Sequence, residues 1–291
     1  MEDLPQIIET VRLPVSIRVH PYLLDHRFES KVVFPAVEAM QLLADTVKGF
    51  RPNVNITVLT DARFDKFLYI EFGITQVAAF CDMTFFKNGD IGAALVTKSR
   101  SPKSSITRTK EHGGLLLPHR APGMPKPPLD PAAALEGICF EIPAEKIYHD
   151  LVPFGKAYRN IHGQLIISED GAAARTHALS VNTAALNFGD MGSPFPLDAA
   201  FHAACVWGQR YAQVVAFPVG IEKRVIFKPT QPGTTYLSRI IPVRKSPDLL
   251  TFDIWIYGKD GNLYEGACGV QMRDVSAGRL KPPRWILEDV A

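Results

Sequence analysis

Apolar and polar residues alternate over several short stretches of this chain, and these stretches surround two longer ones that are almost uniformly apolar. Residues 13–19 alternate with the period of a half-buried strand. From Pro35 to Val47 the apolar residues recur at helical spacing with alanines between them, and Gly49 stands at the position of a C-terminal cap. So little of this helix is polar that sheet must cover it on several sides. Further strand-like runs follow at residues 54–59, 67–74, 77–86 and 91–96.

The second half of the chain repeats this pattern. Strand-like runs at 163–168 and 172–181 precede a small, apolar helix from Phe195 to Trp207, which begins with Phe-Pro as the first helix does at Phe34. The repetition indicates a structural duplication. We therefore predict an α+β fold in which each half is a long central helix wrapped by a curved antiparallel sheet. More alternating runs close the chain, at residues 224–227, 235–243, 250–257 and 263–273.

Two segments of unusual composition separate the halves. Residues 98–110 are rich in Ser, Thr and basic residues, which predicts a solvated loop, with docking of an acidic partner as the alternative. Residues 118–131 are rich in proline, which is typical of a linker.

Composition and charge exclude several classes of function. The chain has 291 residues, of which 46% are hydrophobic and 21% charged, as in an ordinary globular protein. The acidic N-terminus lacks a leader pattern, and no apolar run is long enough to span a membrane, so we expect a cytoplasmic protein. A net charge of +2 argues against nucleic acid as a partner. The four cysteines are far apart, so we expect buried apolar residues, and neither a disulfide framework nor a zinc site.

His26 is the first candidate for chemistry. It lies before a β-branched segment, after which Pro35 opens the first helix. A helix N-terminus offers free backbone N–H groups and a partial positive charge, which suit a carbonyl oxygen that becomes negative during reaction. The arrangement favours a general base beside an oxyanion site. A lone histidine near a helix start is nevertheless more often a capped or solvated residue.

Asp198 and His202 are the second pair of candidates. They lie four residues apart on the second helix and therefore share a face. The apolar neighbours of Asp198 would favour a protonated carboxyl, which suits a general acid, whereas the helix N-terminus would favour the carboxylate. The sequence leaves this balance open. It also leaves open the plain alternatives, in which Asp198 only caps the helix and His202 is a hydrogen-bonded core residue.

These residues carry a resemblance to a known family. The spacing of His26, Ser30 and Pro35 resembles the HxxxGxxxxP motif of polyketide synthase dehydratase domains, and Asp198 with His202 resembles their DxxxQ/H motif. The segment from Phe154 through Gly155 to Tyr158 resembles their YGPxF motif. Three residues depart from the family pattern, because Ser30 replaces a glycine, Phe154 a tyrosine and Lys156 a proline. Tyr158 stands at the usual phenylalanine position and would return a hydroxyl nearby.

The resemblance implies a double hotdog fold, that is, two tandem hotdog units. We assign an N-terminal hotdog unit to residues 1–117, a Pro-rich linker to 118–133 and a C-terminal hotdog unit to 134–291. The implied reaction is the dehydration of a β-hydroxyacyl thioester carried on the phosphopantetheine of an acyl carrier protein, with no metal and no other cofactor. The implied partners are an acyl carrier protein or polyketide synthase modules.

The resemblance also implies roles for individual residues. His26 would take the α-proton, Asp198 would protonate the leaving hydroxyl, and the two would face each other across the halves. Backbone N–H groups near Val37 would polarise the thioester carbonyl. The remaining motif residues would bind substrate or support the pair, namely Ser30, Pro35, Phe154, Gly155, Tyr158 and His202.

Several alternatives stay open at this point. The same His/Asp pair would suit an isomerase, a hydratase or a cyclase, and a non-catalytic scaffold that binds acyl carriers is a third interpretation. Phosphate-binding loops, Gly-x-Ser-x-Gly elbows and His-Glu-x-x-His motifs are absent from the sequence. Whether the chain is a discrete protein or an excised domain, and whether it forms a homodimer, is left undecided by the sequence.

Overall fold

The computed structural model describes residues 6–100, 107–131, 133–178, 188–246 and 248–288. By its internal contacts the chain divides into a first unit, Met1–Gly123, and a second unit, Met124–Ala291. The division falls within the proline-rich segment. Among the helices of the described ranges, none has the length and hydropathy needed to cross a bilayer.

The first unit is one helix, α1 (Ala36–Phe50), on an antiparallel sheet. The main sheet has the strand order β1-β6-β7-β8-β4, and β2, β3 and β5 form a small separate sheet. The strands are β1 (Ile7–Arg18), β2 (Arg27–Phe28), β3 (Lys31–Val33), β4 (Val58–Arg63), β5 (Tyr69–Ile70), β6 (Gln76–Phe86), β7 (Ile91–Arg100) and β8 (Thr107–Leu117).

Helix α1 lies with its apolar face on β6, β7 and β8. Met40, Leu43 and Val47 are at most 2% exposed, so the helical spacing of apolar residues correctly predicts the buried face. The prediction that Gly49 caps this helix is wrong. The helix continues through Phe50, and Arg51 caps it by donating its N–H to the carbonyl of Val47 at 2.7 Å.

The basic segment at 98–110 forms parts of two strands, and its interpretation as a loop is therefore wrong over most of its length. Strand β7 extends to Arg100, and β8 begins at Thr107. Lys98 pairs with Thr109 in this ladder. Only residues 101–106, which include Lys103, lie outside the described residues.

The second unit has the same components in a longer sheet, with the strand order β12-β15-β14-β13-β11-β10-β9. Its helices are α2 (Ala144–Lys146), α3 (Phe195–Tyr211) and α4 (Arg284–Leu287), and a π-helical turn, Ile147–Leu151, continues α2. The strands are β9 (Phe140–Pro143), β10 (Ile161–Ser168), β11 (Gly171–His177), β12 (Phe217–Ile226), β13 (Thr235–Lys245), β14 (Leu250–Tyr257) and β15 (Leu263–Arg273).

Helix α3 is buried on every side. All residues from Phe195 to Gln209 are buried, and the helix contacts strands β10 to β14 of its own unit. Small side chains such as Ala199, Ala203 and Ala204 allow the helix to approach the sheet closely. The near-absence of polar residues in this stretch therefore correctly predicts a helix covered by sheet.

Residues 124–131 and 133 lie against the rest of the second unit. Met124 packs on a buried cluster that contains Trp255 and Tyr257. The Tyr257 hydroxyl donates to the carbonyl of Pro128 at 3.0 Å, and Arg239 donates to the carbonyl of Ala133 at 2.7 Å. These contacts fix the segment at three points.

Three of the four cysteines are buried, as the sequence predicts, namely Cys81, Cys205 and Cys268. Cys139 is exposed, which corrects the prediction for that residue. It lies just before β9, beside Ile138, which is itself 79% exposed.

Candidate active site

His26 directly follows the 3₁₀ helix Pro21–Asp25 and is fixed by Val33 of strand β3. Its ring Nδ1 lies 2.8 Å from the Val33 carbonyl oxygen, and the Val33 N–H donates to the His26 carbonyl at 2.9 Å. A carbonyl oxygen can only accept a hydrogen bond, so Nδ1 carries the hydrogen. In the neutral ring the lone pair is then on Nε2, the nitrogen that suits a general base.

Strand β3 reaches His26 because a two-residue turn folds it back on β2. Phe28 pairs with Lys31, and the turn residues Glu29 and Ser30 have φ of 46° and 65°. Positive φ at both positions is the signature of a type I′ hairpin turn, in which glycine is strongly favoured. Glycine at position 30 would therefore adopt this conformation at a lower cost than serine does. Ser30 itself is exposed.

Pro35 and Val37 lie at the start of α1. Pro35 is the N-cap residue, with φ of −66°, and its carbonyl accepts from the Ala39 N–H at 2.9 Å. Val37 is in the first turn and is 1% exposed. Its N–H is among the first four of the helix, for which no acceptor exists within the helix. The Tyr22 hydroxyl lies 3.2 Å from a carboxylate oxygen of Glu38 in the same turn.

The start of α3 in the second unit is held by Thr230. Ser193 donates its N–H to the Thr230 carbonyl at 3.0 Å, and the Thr230 hydroxyl donates to the Ser193 carbonyl at 2.9 Å. Gly192 has φ of 70°, and a Cβ on it would lie 2.3 Å from the Thr230 nitrogen. This close approach requires glycine, and it fixes the chain six residues before Asp198.

Asp198 and His202 lie together on α3, 5% and 4% exposed. Oδ2 of Asp198 is 3.2 Å from Nε2 of His202. The angles at this contact are poor for a hydrogen bond, and within the described ranges neither atom has a hydrogen-bond partner. A buried polar atom without a partner calls for an explanation, and a place for a ligand group is one such explanation.

His202 is enclosed by two aromatic side chains. The ring of Phe154 stacks on the imidazole, with centroids 4.8 Å apart and 29° between the planes. Tyr148 meets it edge-on at 5.8 Å, and the Tyr148 hydroxyl lies 3.3 Å from His202 Nδ1. The same hydroxyl accepts the Ile161 N–H at 2.8 Å.

The segment that resembles the YGPxF motif brings Phe154 to this position. Gly155 precedes a short 3₁₀ helix, Lys156–Tyr158, and its carbonyl accepts the Tyr158 N–H at 3.1 Å. Tyr158 is fully buried against Phe195 at the start of α3, with ring centroids 5.5 Å apart. Lys156 is exposed.

The structure therefore groups five predicted site residues within the second unit, namely Phe154, Gly155, Tyr158, Asp198 and His202. The other four, His26, Ser30, Pro35 and Val37, lie in the first unit. Sequence reasoning missed Tyr148 as a site residue. Its position six residues before Phe154, in the segment already singled out, is the only signal in the sequence.

An open groove of about 1100 Å³ borders Tyr148. It is lined by apolar residues such as Ile161, by the basic residues Lys146 and Arg159, and by the acidic Glu145. The Nε of Arg159 donates to the Phe154 carbonyl at 2.9 Å. The groove thus combines apolar surface with two basic side chains and one acidic side chain near the aromatic cluster.

Comparisons with known proteins agree with these observations. Residues 142–282 match the family model described as "Polyketide synthase dehydratase N-terminal domain". The matched residues lie in the second unit of this chain.

A curated relative, one of the subunits of the polyunsaturated fatty acid synthase of Thraustochytrium sp., is 24% identical over 231 residues. That alignment covers 76% of this chain but only 8% of the relative. The chain therefore spans a small part of the length of that protein.

Solved dehydratase domains share the fold over almost the whole chain. The domain of a mycocerosic acid synthase-like polyketide synthase has a TM-score of 0.71 at 16% identity and covers 94% of this chain and 95% of its own. A trans-AT polyketide synthase dehydratase domain from Brevibacillus brevis has a TM-score of 0.72 at 15% identity and covers 92% and 94%. The dehydratase domain of the CurF module of curacin polyketide synthase has a TM-score of 0.71 at 19% identity and covers 93% and 98%. The predicted α+β double hotdog fold is confirmed.

Proposed function

Because residues 142–282 match the polyketide synthase dehydratase family model, we propose that this chain removes water from a β-hydroxyacyl thioester. The observation that carries the proposal is the buried pair of Asp198 and His202. Oδ2 of Asp198 is buried, has no hydrogen-bond partner among the described residues and lies 3.2 Å from an imidazole that two aromatic rings enclose. A polar atom of this kind is available to a hydroxyl of the substrate, which suits a general acid.

His26 supplies the base in this proposal. Its Nδ1 hydrogen is held by the Val33 carbonyl, so Nε2 would take the α-proton of the thioester. The imidazolium that forms keeps its hydrogen bond to Val33, and the carbonyl dipole stabilises the new positive charge.

Asp198 supplies the proton for the leaving group. The electron pair from the broken C–H bond forms the C=C bond, the C–O bond to the β-hydroxyl breaks, and the departing oxygen takes the carboxyl proton and leaves as water. The pair ends as imidazolium and carboxylate, and proton exchange with solvent restores both. Protein side chains and backbone perform every step, so the proposal requires neither a metal nor a cofactor.

First-turn N–H groups of α1 would polarise the thioester carbonyl. Val37 is the residue we assign to this role, since its N–H has no acceptor within the helix. One such donor typically supplies about 3 kcal/mol of transition-state stabilisation. Ser30 and Pro35 would act indirectly, by placing β3 and the start of the helix.

We propose that the substrate is a β-hydroxyacyl thioester carried on an acyl carrier protein. The carrier would belong to polyketide synthase modules or act beside them. The groove beside Tyr148 supports this choice, because Lys146 and Arg159 in its lining suit the phosphate of a phosphopantetheine arm and its apolar residues suit the arm itself.

Mass spectrometry of the acyl product tests the reaction. The intact protein should convert a β-hydroxyacyl pantetheine thioester to a product lighter by one water. His26→Ala and Asp198→Asn should each lower turnover by roughly 10²- to 10⁴-fold. His119→Ala and Asp260→Asn are matched controls, because both side chains are exposed and neither belongs to the site.

Binding of the thioester without any loss of water would refute the dehydratase assignment. Isomerised or cyclised products would then identify the related reactions. A protein that binds the thioester and leaves it unchanged would be a scaffold.

Charge reversal tests the carrier. Lys146→Glu should raise KM for the carrier-borne substrate and leave KM for a short thioester without phosphate unchanged. Lys126→Glu, an exposed lysine of the same unit outside the groove, is the matched control. An equal effect of both reversals would contradict docking at this groove.

A further inference from the structure

We propose that Tyr148 is a positioning residue that selects the tautomer of His202 and thereby keeps the proton of Asp198 available to the substrate. This inference rests on the proposed function, which makes Asp198 the general acid.

The Tyr148 hydroxyl is in contact with hydrogen-bonding groups from two directions. Tyr148 is 3% exposed and lies in the π-helical turn that follows α2, a backbone irregularity often found at functional sites. Its oxygen is 2.8 Å from the Ile161 nitrogen and 3.3 Å from His202 Nδ1. Burial raises the pKa of the Tyr148 hydroxyl well above its ordinary value, so the oxygen keeps its hydrogen.

The direction of each hydrogen bond follows from the groups involved. The Ile161 N–H can only donate, so the Tyr148 oxygen accepts there. The hydroxyl hydrogen is therefore left for His202. Nδ1 of His202 can accept it only if that nitrogen carries the lone pair, and in the neutral ring the hydrogen is then on Nε2.

This choice determines what Asp198 meets at 3.2 Å from its Oδ2. With a hydrogen on Nε2, His202 has no lone pair on that nitrogen and cannot take the proton of the carboxyl. With the opposite tautomer, Nε2 would carry a lone pair, and a small rotation of the carboxyl would direct its proton to His202 instead of to the leaving hydroxyl. Tyr148 therefore excludes the tautomer that would sequester the proton.

Nuclear magnetic resonance of the histidine ring reports the tautomer directly. Protein labelled with ¹³C and ¹⁵N at histidine distinguishes the two neutral forms, and loss of a signal in His202→Gln assigns His202 among the eight histidines. The intact protein should show hydrogen on Nε2. Tyr148→Phe should show a mixture or the opposite form. A single Nε2–H form in Tyr148→Phe would overturn the proposal.

Kinetics then separate positioning from a loss of structure. Tyr148→Phe should lower kcat roughly tenfold and change KM less than about twofold, as expected for loss of one hydrogen bond that matters in the transition state. Tyr236→Phe is the matched control, because that hydroxyl also accepts a backbone N–H, from Gln231 at 2.7 Å, in a tyrosine that is 2% exposed. An equal loss of kcat in both variants would contradict the proposal.

A double-mutant cycle tests the route of the effect. Glutamine has no tautomers, so in a His202→Gln background Tyr148→Phe should change kcat less than about twofold. Additive effects of the two substitutions would mean that Tyr148 does not act through His202. If the intact protein removes no water, the proposed function fails, but the resonance experiment still decides whether Tyr148 selects the tautomer.

Discussion

The ring of Phe154 stacks on the imidazole of His202, with centroids 4.8 Å apart. The YGPxF motif that this segment resembles begins with tyrosine, so Phe154 lacks that hydroxyl and keeps the aromatic face that contacts His202. The stack and Tyr148 together leave the imidazole little freedom to rotate. We therefore expect position 154 to act on Asp198 and His202 through packing.

Replacing Phe154 with leucine tests this packing role. We expect Phe154→Leu to lower the free energy of unfolding by about 1 kcal/mol, the typical worth of an aromatic pair beyond its buried area. Turnover should also fall, because His202 gains rotational freedom. Urea denaturation and the dehydration assay measure the two effects.

Phe252→Leu is the control for that experiment. Phe252 is fully buried against Trp207, at 5.4 Å between centroids, and it lies outside the predicted site. The Phe252→Leu variant should be less stable than the intact protein, but it should keep its turnover at temperatures where it is folded. Unchanged turnover in Phe154→Leu would contradict the packing role.

Ser30→Gly should stabilise the protein. Ser30 has φ of 65°, a conformation that costs a residue with a Cβ about 1–2 kcal/mol and glycine almost nothing. Part of that gain is offset by the greater freedom of glycine in the unfolded chain, which leaves roughly 0.5–1 kcal/mol. Thermal unfolding measures it. Ser30→Ala keeps the Cβ and should give no gain, so stabilisation by both substitutions would show that φ is not the cause.

His112 should make the first unit less stable in mild acid. The pKa of this buried histidine is lowered, chiefly by burial and then by the charge of Lys110, although the carbonyls of Lys66 and Phe67 oppose the shift. The unfolded chain therefore binds the proton at a higher pH than the folded chain does. The stability that neutral His112 contributes is complete above its unfolded pKa of about 6.5 and is lost as pH falls below it.

Urea midpoints between about pH 8 and pH 5 check this dependence. The intact protein should lose more stability over that interval than His112→Gln, which cannot be protonated. Parallel curves for the two proteins would show that His112 does not contribute to the pH dependence.

The buried ion pair of Arg224 and Glu265 should respond differently to single and double substitutions. Arg224 Nε lies 2.6 Å from Glu265 Oε1, and the two side chains are 2% and 1% exposed. Removing one partner leaves a buried charge, which typically costs about 3–5 kcal/mol. Arg224→Met with Glu265→Leu leaves no charge and should cost far less than the sum of the single changes. Chemical denaturation measures all three variants, and additive costs would contradict the argument.

The sequence predicts well those elements whose signal is local. Strands β14 and β15 have the predicted bounds, because both are short, largely apolar runs on either side of the Asp-Gly turn at 260–261. Strand β8 escaped prediction because its first residues are polar and basic. The β2–β3 hairpin also escaped prediction, because Glu29 and Ser30 are not the residues that usually mark a type I′ turn.

In the candidate site, too, the contacts that the sequence predicts are those between residues close together in the chain. Asp198 and His202 are four residues apart on one helix, so spacing alone predicts their contact. The contact between Tyr148 and His202 joins residues 54 apart, and no local pattern encodes it. The motif resemblance identified His26, but the bond from its ring to Val33 depends on a hairpin that only the structure shows.

The proline-rich segment has one more consequence. Although its composition is typical of a flexible linker, this segment contacts the rest of the second unit through Met124, Pro128 and Ala133. A protease that cut the chain between Gly123 and Met124 would leave this cover in place, whereas trimming back to residue 134 would expose the indole of Trp255 to water. For separate expression of the second unit, Met124 is therefore the better first residue.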